Sequence, residues 1–215
     1  MKRLISAVLL SAAVAMPAMA QKSNKVLNNG YPFAQVPFTS VKISQNTFWG
    51  ARLQAAQKVT IPLAFSKCET EHRYKNFEMA AYTLQHPNHP GLNTKEWDVS
   101  KFMGFSFDDT DVYKTIEGAS YILQTYPDKK LKAYIDSVLD VVGAAQEPDG
   151  YLYTARTINP QHPHSWSGNK RWVKEEVLSH ELYNLGHMWM LLAPTIRLRA
   201  APSSSTSPSV MPTAW

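Results

Sequence analysis

A helical rhythm in the middle of the chain constrains its fold more than any other sequence feature. After Asp128, apolar residues recur at intervals of three or four, at Leu131, Ile135, Val138, Val142 and Ala145. An earlier run after Asp108-Asp109-Thr110 has the same spacing, at Val112, Ile116, Ala119 and Leu123. Because an α-helix has about 3.6 residues per turn, this spacing predicts two helices, each with one apolar face.

Turn signals and weaker patterns surround these helices. Tyr126-Pro127-Asp128 and Glu147-Pro148-Asp149-Gly150 predict turns. Alternating apolar residues over 36–43 predict a short strand, and Ser44 or Asn46 can cap a helix carrying Phe48, Trp49, Leu53 and Ala56. Tyr151-Leu152-Tyr153 is typical of extended backbone, and 175–188 of a further helix. Strands and helices do not alternate, so we predict an all-α fold of helix pairs joined by long loops.

Charge is distributed unevenly along the chain. Its 215 residues are 44% hydrophobic and 18% charged, which is typical of a globular protein, and the formal charge is +5. Four basic residues lie near the two ends in segments without acids: Lys2, Arg3, Arg197 and Arg199. The middle is therefore close to neutral and lacks a basic stripe with interleaved aromatics, so we expect no nucleic-acid partner.

The first twenty residues have the pattern of an export signal. Lys2 and Arg3 precede an apolar run, and Ala18-Met19-Ala20 forms a small-x-small cleavage site. The apolar run is too short to span a bilayer, and no later segment is long enough either. We expect residues 1–20 to be a signal peptide and 21–34 a polar linker. The protein would then be periplasmic or secreted, with no membrane partner.

Candidate chemical groups are few when each is considered alone. Cys68 is the sole cysteine, and neither it nor the histidine pairs have a third ligand at a recognisable spacing, so we predict no metal site in this chain. Asp108, Asp109 and Asp111 are candidates for paired acid/base carboxylates; the alternative is that Asp109 or Thr110 caps the following helix. Loop aromatics are either sugar platforms or core residues: Trp97, Tyr151, Tyr153, Trp166 and Trp172.

Several motifs in order resemble one glycoside hydrolase family. The run from Phe105 to Gly118 resembles the "DSDVYKxLEG" segment of the β-L-arabinofuranosidase family, glycoside hydrolase family 127 and close relatives. Residues 145–152 are similar to its "AQxPDGYL" turn, and Ser179 to Met188 to its "HELYxxGH" helix. The resemblance covers about residues 35–188, and several separate motifs are far more specific than one short pattern.

The resemblance implies a fold and a reaction. It implies the N-terminal portion of an (α/α)6 barrel, here incomplete, in a hydrolase that removes terminal L-arabinofuranose from plant-type glycans. For full-length members it also implies a cysteine thiolate nucleophile at a zinc site of cysteines and a glutamate, with a second glutamate as acid/base. All these groups lie downstream of the "HELYxxGH" helix. We therefore assign no catalytic residue and no cofactor to this chain.

What the resemblance carries over is part of a substrate pocket. His187 occupies the "GH" position, where the family uses a histidine to contact the sugar. Asp149 and Tyr151 lie in a turn at the mouth of the barrel, and Asp111 opens a barrel helix. We predict these four as substrate-binding residues. For Asp149 and Asp111, a structural role is the open alternative.

The chain changes character after Met188. Residues 189–215 contain neither acid nor lysine, and 201–212 are rich in Ser, Thr and Pro. Trp189 and Met190 each have a single codon, TGG and ATG. If the third base of each codon is read with the first two bases of the next, the bases GAT encode Asp at this point. The same shifted frame then allows a helix that ends Ala-His-Tyr-Gln-Ala-Thr-Gly, which resembles the family's own continuation. We therefore hypothesise a frameshift near codon 189, with residues 35–188 as a partial barrel domain and 189–215 as a disordered tail; a natural disordered tail is the alternative.

Together these features predict an exported, truncated β-L-arabinofuranosidase-type hydrolase that is inactive as written. The expected partner is a carbohydrate substrate containing arabinose. The alternative is a non-catalytic, secreted carbohydrate-binding protein that keeps His187 and the loop aromatics. The sequence carries no signal of an oligomeric state.

Overall fold

The structure is a computed structural model that describes residue 36 and residues 38–88 and 104–199. Several features named from the sequence lie outside these residues: the signal peptide at 1–20, the linker at 21–34, Trp97 and the tail from residue 200. The chain divides into two units, residues 1–41 and 42–215.

In the first unit, the described backbone is a 3-10 helix at Phe38–Ser40. The amide of Val41 donates to the carbonyl of Phe38, which is a turn bond, and residue 41 has no regular structure. Residues 42–44, the first of the second unit, have none either. The strand predicted over 36–43 is therefore wrong. A strand needs a second strand to pair its backbone groups, and the described part of the chain contains none.

All regular secondary structure in the described part of the second unit is helical, which confirms the all-α prediction. In chain order its elements are α1 (Phe48–Ala55), a π-helical segment (Ala56–Thr60), α2 (Ile61–Thr70), α3 (Arg73–Gln85), α4 (Asp109–Thr125), α5 (Lys129–Ala144), α6 (Thr154–Thr157) and α7 (Glu181–Arg199). Thr47, and not Ser44 or Asn46, caps α1, because its hydroxyl accepts from the amide of Gly50. Among the described residues, no helix is both long enough and apolar enough to cross a bilayer.

The two periodic helices are confirmed as α4 and α5. The apolar faces of both are buried, with Val112 and Ile116 at 0% exposure. Asp128 starts α5, since its carboxylate accepts from the amides of Lys130 and Leu131 at 2.8 and 3.1 Å. The predicted turn at 147–150 closes with a bond from the Gly150 amide to the Glu147 carbonyl.

Helix α7 differs from the predicted helix at both ends. It begins at Glu181 and not at Glu175, because the Glu175 carboxylate accepts from the amides of Glu181 and Leu182 and so caps the helix from outside. It also continues to Arg199, so the predicted disorder does not apply to residues 189–199. Buried Leu191 explains the extension, since its side chain belongs to the core.

The fold brings the N-terminal ends of α4 and α7 together. These two helices form the most extensive helix pair in the described chain. At their N-terminal ends the Ser106 hydroxyl donates to the Leu178 carbonyl, and the Asn184 amide group donates to the Ser106 carbonyl. The loops that carry the sequence motifs therefore meet at one end of a helix pair.

Candidate functional site

A layer of buried carboxylates holds these loops in place. Asp109 is 1% exposed and accepts from both the amide and the hydroxyl of Thr154, which joins α4 to the first residue of α6. Burial raises the pKa of Asp109 to about 7. Asp108 accepts from the Phe105 amide at 2.8 Å and from the Arg73 guanidinium at 3.0 Å, and burial raises its pKa as well.

The aspartates of this motif therefore have separate partners. Asp109 is buried against Thr154, and Asp108 makes no side-chain cap bond to α4. Neither the paired acid/base arrangement nor simple helix capping describes this geometry. The two carboxylates fix the loops that precede α4 and α6.

Glu181, which the sequence analysis did not single out, is the second anchor of this layer. It is 1% exposed and accepts from the Tyr151 hydroxyl at 2.5 Å and from the Trp172 amide at 2.8 Å. Burial raises its pKa, against the opposing effect of these hydrogen bonds. Tyr153 adds a parallel connection, since its hydroxyl donates to the Ser179 carbonyl. Glu181 and Tyr153 therefore tie the 151–153 segment to the start of α7.

Tyr151, one of the predicted substrate residues, lies in this layer, and Asp149, another, is exposed beside it. Arg171 donates to Asp149 and to Glu147, and its guanidinium lies 3.9 Å from the centroid of the Tyr151 ring. The Arg171 hydrogen bond lowers the pKa of Asp149. Tyr151 is 1% exposed, so its ring and hydroxyl are occupied within the protein. Both residues have structural partners here, and ligand contact stays a prediction for them.

In front of this layer, polar and aromatic groups on one side of α7 reach the surface. Lys114 donates to the Tyr183 hydroxyl at 2.6 Å, and the Tyr183 and His187 rings lie 4.6 Å apart at 82°. Burial, and then the positive charge of Lys114, lower the pKa of His187. The imidazole is therefore neutral at pH 7, with one donor and one acceptor nitrogen. Its Nδ1 has no hydrogen-bond partner among the described residues.

His180 completes this group, although the sequence analysis did not assign it. Its backbone is left-handed, with φ of 57°, and its Nδ1 lies 2.7 Å from the Leu178 carbonyl. Because a carbonyl oxygen can only accept, that contact makes Nδ1 the donor. Its ring contacts Phe107 and Tyr183 at 4.9 and 5.8 Å. We call His180, Tyr183, His187 and Lys114 the front cluster.

Asp111, the fourth predicted residue, lies beside the front cluster. Its carboxylate accepts from Arg73 Nε at 3.0 Å. Together they line a cavity of about 320 Å³ whose remaining walls are Ala64, Lys67, Cys68, Glu71, Lys114 and Thr115. Lys114 therefore borders both this cavity and the Tyr183 ring. Lys114 thus lines the cavity with Asp111 and also contacts Tyr183, whose ring packs on His187.

The same cavity contains the one cysteine of the chain. Cys68 is buried, and its sulfur lies 3.8 Å from the Thr115 hydroxyl. Burial raises its pKa, so the thiol is protonated at neutral pH. Within 38–88 and 104–196, no three His, Cys, Asp or Glu side chains are placed to hold a metal ion. These residues do not fit the zinc site that the resemblance implies, and we derive no step through a metal.

Comparison with known proteins identifies the family. Residues 40–196 match the model of the GH127 catalytic domain of β-L-arabinofuranosidases. The chain belongs to this family. A non-reducing end β-L-arabinofuranosidase of Bifidobacterium longum subsp. longum is 40% identical over 87 residues, which are 40% of this chain and 13% of that protein.

Solved GH127 structures also resemble the chain. A GH127 β-arabinofuranosidase is 61% identical in sequence and superimposes with a TM-score of 0.68. The match covers 80% of this chain and 25% of that protein's chain. A GH127 β-L-arabinofuranosidase from Geobacillus stearothermophilus T6 has 28% identity and a TM-score of 0.57, with 70% and 21% coverage. This chain thus spans a quarter or less of the relatives it matches. The family resemblance is confirmed, and what the whole relatives do is a proposal for this chain.

Proposed function

We propose that this chain is part of an exported β-L-arabinofuranosidase-type hydrolase and that the front cluster forms one wall of its pocket for a terminal arabinofuranose. The observation that carries the proposal is the row of His180, Tyr183 and His187 at the end of the α4–α7 pair, held from behind by buried Glu181. Family membership and the names of the relatives support the choice of sugar.

The chemistry of the front cluster suits a neutral sugar. A furanose presents hydroxyl groups, each of which both donates and accepts, and an apolar surface of C–H groups. The Lys114 ammonium is a donor, and the imidazoles of His180 and His187 are polar rings that can hydrogen-bond, with His187 Nδ1 itself buried. The Tyr183 ring, 42% exposed, offers an apolar face between the two histidines. Few polar groups among aromatic rings are typical of small-molecule sites.

These residues bind and orient, and we propose that they do not cleave on their own. Breaking a glycosidic bond with retention needs a nucleophile and an acid/base group on either side of the anomeric carbon. Asp109 and Glu181 are enclosed within the protein, and Cys68 is a buried, protonated thiol. We expect the purified 215-residue chain to release no arabinose from an aryl β-L-arabinofuranoside; measurable release would refute this.

We further propose the frameshift near codon 189. Pro194 lies inside α7, where a proline removes a helix hydrogen bond. A proline at this position is unusual for a helix shaped by selection in this frame. Sequencing the gene across codon 189 tests the idea. Codons that do not spell the family-like helix in the shifted frame would rule it out.

The alternative function is non-catalytic carbohydrate binding, which the exposed rings of the front cluster favour. Expression of the gene in the shifted frame separates the two functions. Hydrolysis that appears only in that frame supports a disrupted hydrolase. Sugar binding by the 215-residue chain, with no hydrolysis in either frame, supports the binding protein.

Export stays a proposal that rests on residues 1–20. N-terminal sequencing of the protein recovered from a periplasmic or culture fraction tests it. The expected mature chain starts at Gln21, and recovery of the chain in the cytoplasm with Met1 intact would contradict export.

A further inference from the structure

A row of three aromatic rings extends from the front cluster along the surface. Phe107 contacts His180 at 4.9 Å. Phe105 stacks on Phe107 at 5.2 Å with only 3° between the ring planes, and Trp166 stacks on Phe105 at 5.7 Å and 27°. We call Trp166, Phe105 and Phe107 the aromatic row. It connects the loop at 160–172 with the front cluster.

The row lies outside the buried core. Phe105 is 51% exposed, Phe107 and Trp166 are partly buried, and neither of the two buried clusters of the described chain contains any of the three rings. A single exposed phenylalanine is ordinary on a protein surface. Here three stacked rings adjoin the front cluster, and together they form a contiguous aromatic patch. Such a patch is typical of a binding surface.

Hydrogen bonds fix the backbone beneath the rings on both sides. The Phe105 amide donates to Asp108, and the Phe107 carbonyl accepts from the Thr110 hydroxyl at 2.8 Å. On the other loop, the Lys174 ammonium donates to the carbonyl of Ser165, next to Trp166, at 2.8 Å. A surface already fixed in this way loses little conformational entropy when a ligand binds.

The row also has a definite chemical character. None of its three side chains is charged, so it favours a neutral occupant. It continues into His180, Tyr183 and His187, which add hydrogen-bonding atoms at one end. A ligand that presents C–H faces and hydroxyl edges along its length matches both parts. A saccharide of more than one residue has this form.

We propose that the aromatic row binds the sugar residues next to the terminal arabinofuranose, so that the site selects oligosaccharides over single glycosides. This inference rests on the proposed function, which places the terminal residue at the front cluster. Trp166 and Phe105 are then specificity-determining residues and take no part in bond cleavage.

The test compares two neutral ligands on the full 215-residue chain by calorimetric titration. The ligands are methyl β-L-arabinofuranoside and a β-linked arabinofuranose trisaccharide. We expect the trisaccharide to bind about tenfold more tightly, and W166A to remove that advantage while leaving the affinity for the methyl glycoside unchanged. W166F should keep most of the advantage, because it keeps a ring. The control is W49A, whose exposed ring on α1 lies outside the row.

F105L keeps the test decisive if W166A unfolds, because Phe105 is half exposed and leucine preserves apolar bulk without a ring. Equal affinity of the wild-type chain for both ligands overturns this inference alone. Loss of affinity for both ligands in W166A and F105L also overturns it, since that indicates a structural role. Binding of neither ligand overturns the proposed function as well. Dissociation of a dimer by W166A, with no change in sugar affinity, would assign the row to a second copy of the chain.

Discussion

The buried layer and the front cluster come from the same sequence motifs but consist of different chemistry. The layer behind uses carboxylates, Asp108, Asp109 and Glu181, each enclosed and hydrogen-bonded to a neighbouring loop. The front uses imidazoles, a phenol and an ammonium at the surface. Acidic residues in a glycoside hydrolase motif are thus here positioning groups, and the rings beside them are the groups that a ligand can reach.

Helical geometry explains how one motif serves both regions. Residues three and four apart lie on one face of a helix, so Tyr183 and His187 share the front of α7, whereas Glu181, Asn184 and Met188 share its buried side. His180 precedes the helix and joins the front through its left-handed backbone. The following variants test whether the two regions are separable in practice.

We expect the largest effect from E181A. The substitution leaves the buried Tyr151 hydroxyl and the Trp172 amide without their acceptor, which lowers the free energy of unfolding by about 4 kcal/mol. Thermal unfolding followed by circular dichroism measures the loss. E176A is the matched control, since Glu176 is exposed and should change stability by less than about 0.5 kcal/mol. A wild-type melting temperature for E181A would show that the buried layer does not hold the site.

The next effect in size is the pH dependence introduced by Asp109. Its pKa is about 7 in the folded chain against an ordinary value of 3.8, so the folded state binds this proton more tightly than the unfolded state does. The stabilisation is full below about pH 4 and is lost as the pH rises towards 7, on the order of 3 kcal/mol. D109N should remove this slope in denaturant unfolding between pH 4 and 7. An unchanged slope in D109N would assign the titration to another group.

A smaller effect is expected from R171M. The guanidinium bridges Glu147 and Asp149 and covers the Tyr151 ring, but it is partly exposed, so its loss should cost about 1–2 kcal/mol. Because the Arg171 hydrogen bond lowers the pKa of Asp149, R171M should also raise that pKa, measurable by carboxyl NMR titration. R171K is the control that keeps the charge and loses the paired geometry. An Asp149 pKa that R171M leaves unaltered would contradict the assigned ion pair.

The smallest stability effect is expected in the front cluster. K114M removes an exposed ammonium, so the free energy of unfolding should change by less than about 0.5 kcal/mol. The pKa of His187 should rise, because the nearby positive charge helps to keep it low, after burial. Histidine NMR titration measures the shift, with exposed His72 as internal control. A large loss of stability in K114M would mean that the front also supports the fold.

The sequence predicted the parts of the fold that depend on local spacing. Helices α4 and α5 follow from their apolar rhythm, and the turn at 147–150 from its Pro and Gly residues. The start of α7 did not follow, because the cap comes from the side chain of Glu175, six residues before the first helical residue. The predicted strand was wrong because alternation alone does not supply a pairing partner.

The candidate site was predicted only in part, for a related reason. His187 was named from its motif position, and the structure places it in the front cluster. His180 was not named, because its role depends on a left-handed backbone and a bond to the Leu178 carbonyl, neither of which leaves a sequence pattern. The partners of Tyr151 and Asp149 lie 30 and 22 residues away in sequence. Spacing within one motif could not reveal them.

The most direct test of the central claim is a titration of the 215-residue chain with methyl β-L-arabinofuranoside, observed through its histidine side-chain NMR signals. We expect saturable shifts of His180 and His187 with one dissociation constant, while His72, His86 and His162 stay unchanged. Shifts of equal size at all five histidines, or none at His180 and His187, would contradict the claim that the front cluster is a sugar-binding wall.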